Sequence, residues 1–205
     1  VRAAVIDFIQ VGAIRIFLAV PSTATPPAPT PALATVPAFN SPAATPTPSV
    51  TEAQPAPLAS LLDLGGETTL AEARAKANFT LKLPAYPPGL GLPQHVYLQD
   101  LNGPVILMAW VNPKQPGKVR LVLQEFGPGT FAEKVAPEEI QATTVNGNDA
   151  VWTTGPYLLV SKDGQYLFQR LIEGHVLIWT EGDITYRLET AQTMDEARKI
   201  AASLR

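Results

Sequence analysis

Hydrophobic and polar residues alternate with a period of two through most of the second half of the chain. Ten runs show this pattern: FTLKL, QHVYLQDL, PVILMAWV, VRLVLQEF, IQATTV, AVWTT, YLLVS, QYLFQRL, HVLIWT and ITYRLE. Such alternation predicts β-strands. Turn-forming pairs stand between them at Asn102-Gly103, Asn146-Gly147, Asp163-Gly164, Glu173-Gly174 and Glu181-Gly182. Because such short connections join neighbouring strands antiparallel, the pattern predicts a β-meander.

The pattern changes to a helical one at both ends of this region. Thr69 and Glu72 have the spacing of a capping box, which predicts a helix over TLAEARAKA that ends before Asn78. Thr193 and Glu196 repeat the spacing and open a second helix, DEARKIAASL. Residues 61-205 are therefore predicted to form an α+β domain, a curved antiparallel β-meander sheet covered by two short helices.

The run HVLIWTEGDITYRLE predicts how one hairpin lies in the sheet. With Glu181-Gly182 as the loop, Trp179 faces Ile184 across the hairpin. One face then carries His175, Leu177, Trp179, Ile184, Tyr186 and Leu188, and the other carries Val176, Ile178, Thr180, Asp183, Thr185 and Arg187. We expect the first face to be core and the second to be half exposed, as antiparallel sheets allow.

The first 20 residues, VRAAVIDFIQVGAIRIFLAV, are apolar on almost every side. Asp7 and Arg15 would each cost about 2.5–3.5 kcal/mol near the centre of a bilayer, which argues against a membrane span. Two interpretations remain. Residues 1-20 either form an element of the folded domain, with AIRIFLAV as a strand, or form a juxtamembrane segment. In the second case Ile6, Ile9, Ile16 and Phe17 contact lipid or a partner.

Residues 21-60 are rich in Pro, Ala and Thr, and Glu52 carries their only charge. So little apolar bulk predicts a disordered linker with a polyproline II bias. The stretch from Pro21 to Pro57, about 37 residues, would reach roughly 110 Å when extended, and a stalk of this kind holds a domain away from a membrane or wall.

Composition excludes several classes of function. Fifteen basic against 18 acidic residues give a net charge of −3, without the basic face that nucleic-acid binding requires. The chain has no cysteine, which excludes disulfides and thiolate metal sites. No nucleotide-binding, metalloprotease or nucleophile-elbow motif is present. We therefore predict no catalytic residue, no metal and no cofactor, and a protein that is not an enzyme.

Aromatic residues are dense in the predicted sheet. Most should fill the core, but a surplus on a curved sheet would line a groove for an apolar or peptide ligand. The candidates for such a groove are Trp110, Trp152, Tyr157, Tyr166 and Phe168.

Four segments carry a resemblance to a known family: TLAEARAKANFTLKLPAYPPGLGL, TTVNGNDAVW, VLIWTEGDITYRLET and DEARKIAASL. Their order resembles a bacterial domain family of unknown function, found at the extracytoplasmic C-terminal end of anti-sigma-factor-like membrane proteins and of some lipoproteins. Residues 1-20 also resemble the segment that follows the transmembrane helix in such proteins. The resemblance implies single-pass anchoring through a segment upstream of Val1, on the extracytoplasmic face of the bacterial membrane. It provides no catalytic residues.

Three functions follow as hypotheses. The first is a non-enzymatic extracytoplasmic sensing or protein-interaction domain of a membrane-anchored regulator, whose partner is an envelope protein or signal. In that case two chains could pair as a homodimer through the N-terminal segment. The second is a lipid- or peptide-binding module that uses a curved sheet. The third is an enzyme of unknown type.

Overall fold

The computed structural model describes residues 8–17, 64–135, 139–154, 158–161, 166–169 and 171–205. Helices α1 and α2 span Leu70–Lys76 and Met194–Ala202. The strands are β1 Phe8–Val11, β2 Ile14–Phe17, β3 Glu67–Thr68, β4 His95–Asp100, β5 Pro104–Asn112, β6 Gln115–Phe126, β7 Ala132–Val135, β8 Glu139–Val145, β9 Asn148–Thr154, β10 Leu158–Ser161, β11 Tyr166–Gln169, β12 His175–Glu181 and β13 Ile184–Thr190.

Eight strands form one antiparallel sheet in the order β3-β4-β5-β6-β13-β12-β9-β8. Consecutive strands pair within β3 to β6, and again in the β8–β9 and β12–β13 hairpins. The Asn146-Gly147 turn joins β8 to β9 with both residues at positive φ, which is the conformation that a tight hairpin requires. The run FTLKL was predicted as a strand, but residues 79–83 belong to none. Its end instead pairs with the C-terminus, where Leu83 and Arg205 exchange backbone hydrogen bonds of 2.9 and 3.2 Å.

The two faces of the eight-stranded sheet are both buried. On β5, Val105, Leu107 and Ala109 belong to one hydrophobic cluster, while Ile106 and Met108 belong to the other. A strand covered on both sides reads as a continuous apolar run, which explains why VILMAW contains no polar residue.

The helices cover one face and confirm the α+β class. Ala73 of α1 and Ala197, Ile200 and Ala201 of α2 are buried in the cluster that contains Trp179. Both parts of the predicted capping box are present at Thr69 and Glu72. Thr193 caps α2 by accepting a hydrogen bond from the amide of Glu196.

A second sheet covers the other face, so the prediction of a single sheet was incomplete. Its order is β1-β2-β7-β10-β11, and β2 and β7 are parallel, with Ile14 opposite Ala132. The hairpin β1–β2 lies within the first 20 residues, and its Ile14 and Ile16 are fully buried. The described part of this apolar segment is therefore an element of the domain.

The turn of this N-terminal hairpin contacts the eight-stranded sheet directly. The amide of Ala13 donates to the Thr185 hydroxyl over 2.7 Å. Gly12 has a φ of +53°, and a Cβ atom there would come within 2.1 Å of the Thr185 oxygen. Only glycine suits both this conformation and this close approach.

The hairpin β12–β13 differs from its predicted register by two residues. Trp179 lies opposite Tyr186 rather than Ile184, because the two-residue loop is Gly182-Asp183. A register shift of two residues leaves each side chain on the same face of the sheet, so Trp179 lies in the core as predicted. The opposite face was predicted to be half exposed, but Val176, Ile178 and Arg187 are buried because the second sheet covers them.

The predicted linker, residues 21-60, lies outside the described residues. It falls within residues 18–63, which join β2 to β3, and both of those strands belong to the same domain. Within the described ranges, no helix is long and apolar enough to cross a membrane.

Candidate functional site

A pocket of about 240 Å³ lies beside α2. One wall is the segment 84–93, which we call the proline loop, and another is α2; β6 and the end of β13 complete it. The lining residues are Tyr86, Pro87, Leu90, Arg120, Leu121, Thr190, Gln192, Glu196 and Ile200.

The proline loop is shaped by local sequence. The amide of Leu90 donates to the carbonyl of Pro87 over 3.1 Å, and Gly89 between them has a φ of +78°. Pro88 followed by Gly89 is the residue pair that a type II turn favours. The amides of Ala85 and Tyr86 both donate to the Ser203 hydroxyl, over 3.1 and 3.0 Å. The loop is therefore attached to the end of α2.

Tyr86 and Glu196 form the side of the pocket next to α2. The Tyr86 hydroxyl donates to Glu196 Oε2 over 2.8 Å, and Lys199 Nζ donates to Glu196 Oε1 over 2.6 Å. The bond from Lys199, followed by that from Tyr86, lowers the pKa of Glu196. Glu196 is therefore ionised at neutral pH, and Lys199 compensates its charge.

Arg120 provides the other charge. Its Nη2 donates to the Leu90 carbonyl over 3.2 Å, and its Nε has no hydrogen-bond partner in the described part of the chain. None of the ion pairs among the described residues includes Arg120. With Glu196 compensated by Lys199, the pocket has an excess positive charge.

The floor of the pocket is apolar. Leu90, Leu121 and Ile200 line it, and all three belong to the hydrophobic cluster between the sheet and the helices. An apolar floor with a few polar groups at its edge is the usual composition of a ligand site.

A second polar cluster lies on the same face of the sheet, around Glu125. Its side chain is fully buried, and burial raises its pKa to about 8. Lys82 contacts it through the backbone amide, while Lys82 Nζ pairs with Glu181 at 2.5 Å. Burial also raises the pKa of the neighbouring Tyr186. A carboxyl group with a raised pKa is a candidate acid or base, but this one is enclosed and cannot contact a substrate in this conformation.

Two of the five predicted aromatic groove residues, Trp110 and Trp152, are buried and do not line an open surface. Trp110 is fully buried and donates from Nε1 to the Gly91 carbonyl over 3.0 Å. Trp152 is also buried, stacked on His175 with ring centroids 4.8 Å apart. Tyr166 and Phe168 belong to β11, and nothing further is described of their side chains; Tyr157 lies outside the described residues.

The predicted membrane-proximal residues lie in the N-terminal hairpin as far as they are described. Ile16 is fully buried, and Ile9 packs against the same hydrophobic cluster. Phe17 is half buried and lies 5.9 Å from the ring of Phe8, which is 48% exposed. Ile6 lies outside the described residues.

Comparison of the chain with protein-family models, with curated proteins and with solved structures gave no match. Within the described ranges, no group of three or more His, Asp or Glu residues is placed to hold a metal ion. Sequence reasoning did not identify the pocket at Tyr86, Arg120 and Glu196. The segment PAYPPGLGL contained one signal, the Pro-Pro-Gly turn that builds a wall.

Proposed function

We propose that this chain is a non-enzymatic sensing or protein-interaction domain of a membrane-anchored, anti-sigma-factor-like regulator, located on the extracytoplasmic face of the bacterial membrane. The observation that carries the proposal is the position of the N-terminal hairpin, whose residues Ile14 and Ile16 are buried in the domain core. The resemblance of the four sequence segments to domains of such regulators supports the location.

In this proposal an anchor upstream of Val1 would be joined to the domain through the N-terminal hairpin, whose two strands are themselves part of the domain. This replaces the stalk hypothesis, because residues 18–63 connect two strands of one domain rather than joining the anchor to it.

Such an arrangement suits a regulator. The anchor would be connected to a hairpin that packs against the eight-stranded sheet, where the Ala13 amide contacts Thr185. A partner that binds the domain would therefore act on the element through which the chain continues towards the membrane. Pairing of two chains through β1, which is an edge strand of its sheet, stays a prediction.

The second candidate function is a ligand-binding module, and the pocket beside α2 favours a peptide over a lipid. At about 240 Å³ it is smaller than the roughly 300–1,000 Å³ of sites that enclose whole small molecules. It has room for one side chain of a partner rather than for an acyl chain of ordinary length. We do not propose catalysis, since Glu125, the described carboxyl with the most strongly raised pKa, is enclosed.

Protease accessibility in whole cells tests the proposed location. The full-length native protein, with its own upstream sequence, is expressed in a bacterial host, and spheroplasts are treated with protease. We expect the domain to be digested in intact spheroplasts while a cytoplasmic control protein survives. Protection of the domain until the membrane is lysed would contradict the proposal.

A further inference from the structure

We infer that the pocket beside α2 binds the C-terminal residue of a peptide or protein, an apolar side chain that carries a free carboxylate. This inference deepens the proposed function, on which it rests, by naming the chemical class of the partner. The charge of the pocket, its apolar floor and its ordered walls each carry one step.

The charge of the pocket selects an anion. Arg120 lines it without a carboxylate partner among the described residues, whereas Glu196 is already bound by Lys199 and Tyr86. A guanidinium group binds carboxylates through two parallel hydrogen bonds, which makes arginine the usual residue for this recognition. The side chain of Gln192, also in the lining, adds an amide donor.

The apolar floor selects what the carboxylate is attached to. Leu90, Leu121 and Ile200 would be contacted by an aliphatic or aromatic side chain. An internal Asp or Glu has its carboxylate at the tip of the side chain and cannot place an apolar group beyond it. A C-terminal apolar residue carries both groups on one Cα atom, so it can present them to Arg120 and to the floor together.

The walls are formed before any ligand arrives. Ser203 accepts two amide hydrogen bonds from the proline loop, and the Tyr86 hydroxyl links the loop to Glu196 on α2. A site that is already ordered loses less conformational entropy on binding than a flexible one. The pocket is therefore suited to a short chain end, which offers few contacts of its own.

The test uses the full chain and a fluorescent hexapeptide of alanine and glycine that ends in leucine. We expect the peptide with a free C-terminal carboxylate to bind at least ten-fold more tightly than its C-terminal amide. A version with a C-terminal glycine, which keeps the carboxylate but removes the side chain, should also bind at least ten-fold more weakly. Equal affinity for the acid and the amide would overturn the inference, as would the absence of measurable binding by the acid.

Two variants locate the binding site. Arg120→Gln should weaken binding of the acid at least ten-fold and leave the weak binding of the amide unchanged. Lys118→Gln, which removes an exposed positive charge two residues away on β6, is the matched control and should bind like the wild type. Equal losses in the two variants would indicate general charge attraction and overturn the inference. Circular dichroism and thermal melting establish that both variants are folded.

A saturated fatty acid added as competitor distinguishes the two sources of an apolar carboxylate. We expect displacement of the fluorescent peptide to need at least a ten-fold higher concentration of the fatty acid than of the unlabelled peptide. A smaller difference would overturn the peptide assignment in favour of a lipid. All these measurements use purified protein. Their failure is therefore distinct from failure of the proposed function, which is decided by the location of the domain in cells.

Discussion

The backbone amide of Lys82 donates to both carboxyl oxygens of Glu125, over 3.1 and 3.3 Å, at a position where the Glu125 side chain is fully buried. Lys82 also pairs with Glu181 through its own side chain. A single residue from the segment after α1 thus contacts both β6 and β12. Burial is the largest influence on Glu125 and raises its pKa to about 8, although the Lys82 amide and charge act in the opposite direction.

Stability should depend on pH through Glu125. In the unfolded chain its pKa is the ordinary 4.5, and in the folded protein it is about 8. The stabilisation from its protonated form is therefore fully present below about pH 4.5 and is lost as the pH rises to about 8. Glu125→Gln, which stays neutral, should remove this part of the decline.

Denaturant unfolding of the wild type and of Glu125→Gln between pH 5 and 9 checks this prediction. The exposed Glu139 on β8 provides the matched control, and Glu139→Gln should reproduce the wild-type curve. Parallel curves for the wild type and Glu125→Gln would contradict the assignment of a raised pKa.

Arg187 should be necessary for stability because it lies between the two sheets. It is buried, forms an ion pair with Glu189, and donates to Gln124 Oε1 over 3.1 Å. Arg187→Met leaves the Glu189 charge buried without that partner and should cost about 3–5 kcal/mol of unfolding free energy.

The double variant Arg187→Met with Glu189→Gln should recover part of that loss. The glutamine removes the unpaired charge and keeps an oxygen that can accept the hydrogen bond from the amide of Leu171. Chemical denaturation of the single and double variants measures the difference. If the single variant is as stable as the wild type, the buried ion pair does not have the proposed role.

Trp179→Ala should destabilise the domain by about 3–5 kcal/mol, since the ring is fully buried and stacks on Tyr186 at 5.2 Å. Leu92→Ala is the control and should change stability by no more than about 0.5 kcal/mol, because Leu92 is 64% exposed. Urea denaturation of both variants shows which of them loses more unfolding free energy. A larger loss for Leu92→Ala would place Trp179 outside the core.

Glu181 was predicted to lie in the hairpin loop, and a substitution such as Glu181→Ala at a turn position costs no more than roughly half a kcal/mol. Glu181 instead ends β12 and pairs with Lys82, and the two side chains are only 19% and 33% exposed. We therefore expect Glu181→Ala to lose up to about 1 kcal/mol of unfolding free energy. The same urea denaturation experiments can distinguish this from the larger loss in Trp179→Ala.

The elements that sequence predicted well have local causes. The capping residues Thr69 and Glu72 lie three positions apart, so the start of α1 could be read from the sequence itself. Most strands of the eight-stranded sheet follow from alternation and turn residues. The register of β12–β13 was missed by two positions because Glu181-Gly182 and Gly182-Asp183 are both plausible turns, and both place Trp179 on the same face.

The second sheet and the pocket depend on contacts between distant parts of the chain. Ile14 lies opposite Ala132 in a parallel pair, and neither neighbouring sequence shows which strand it joins. Arg120 meets the Leu90 carbonyl from another element, and Glu196 meets Tyr86 across the pocket. No short sequence pattern indicates these pairs, whereas the type II turn at Pro88-Gly89 depends only on a pair of adjacent residues.

The central claim is that the N-terminal hairpin is a structural part of the domain. Ile16 is fully buried, while Gln10 in the same hairpin is exposed. In the full chain, Ile16→Ala should therefore cost about 2–5 kcal/mol and Gln10→Ala no more than about 0.5 kcal/mol. These two variants test the packing of the hairpin without shortening the chain.

The most direct measurement compares denaturant unfolding of the full chain with that of a fragment that begins at Leu58. Burial of Ile14 and Ile16 alone should contribute about 1.5–3 kcal/mol each. We therefore predict that the fragment loses at least about 3 kcal/mol of unfolding free energy, and that a peptide of residues 1–20 added in excess restores part of it. A fragment with the same unfolding free energy as the full chain would contradict the claim.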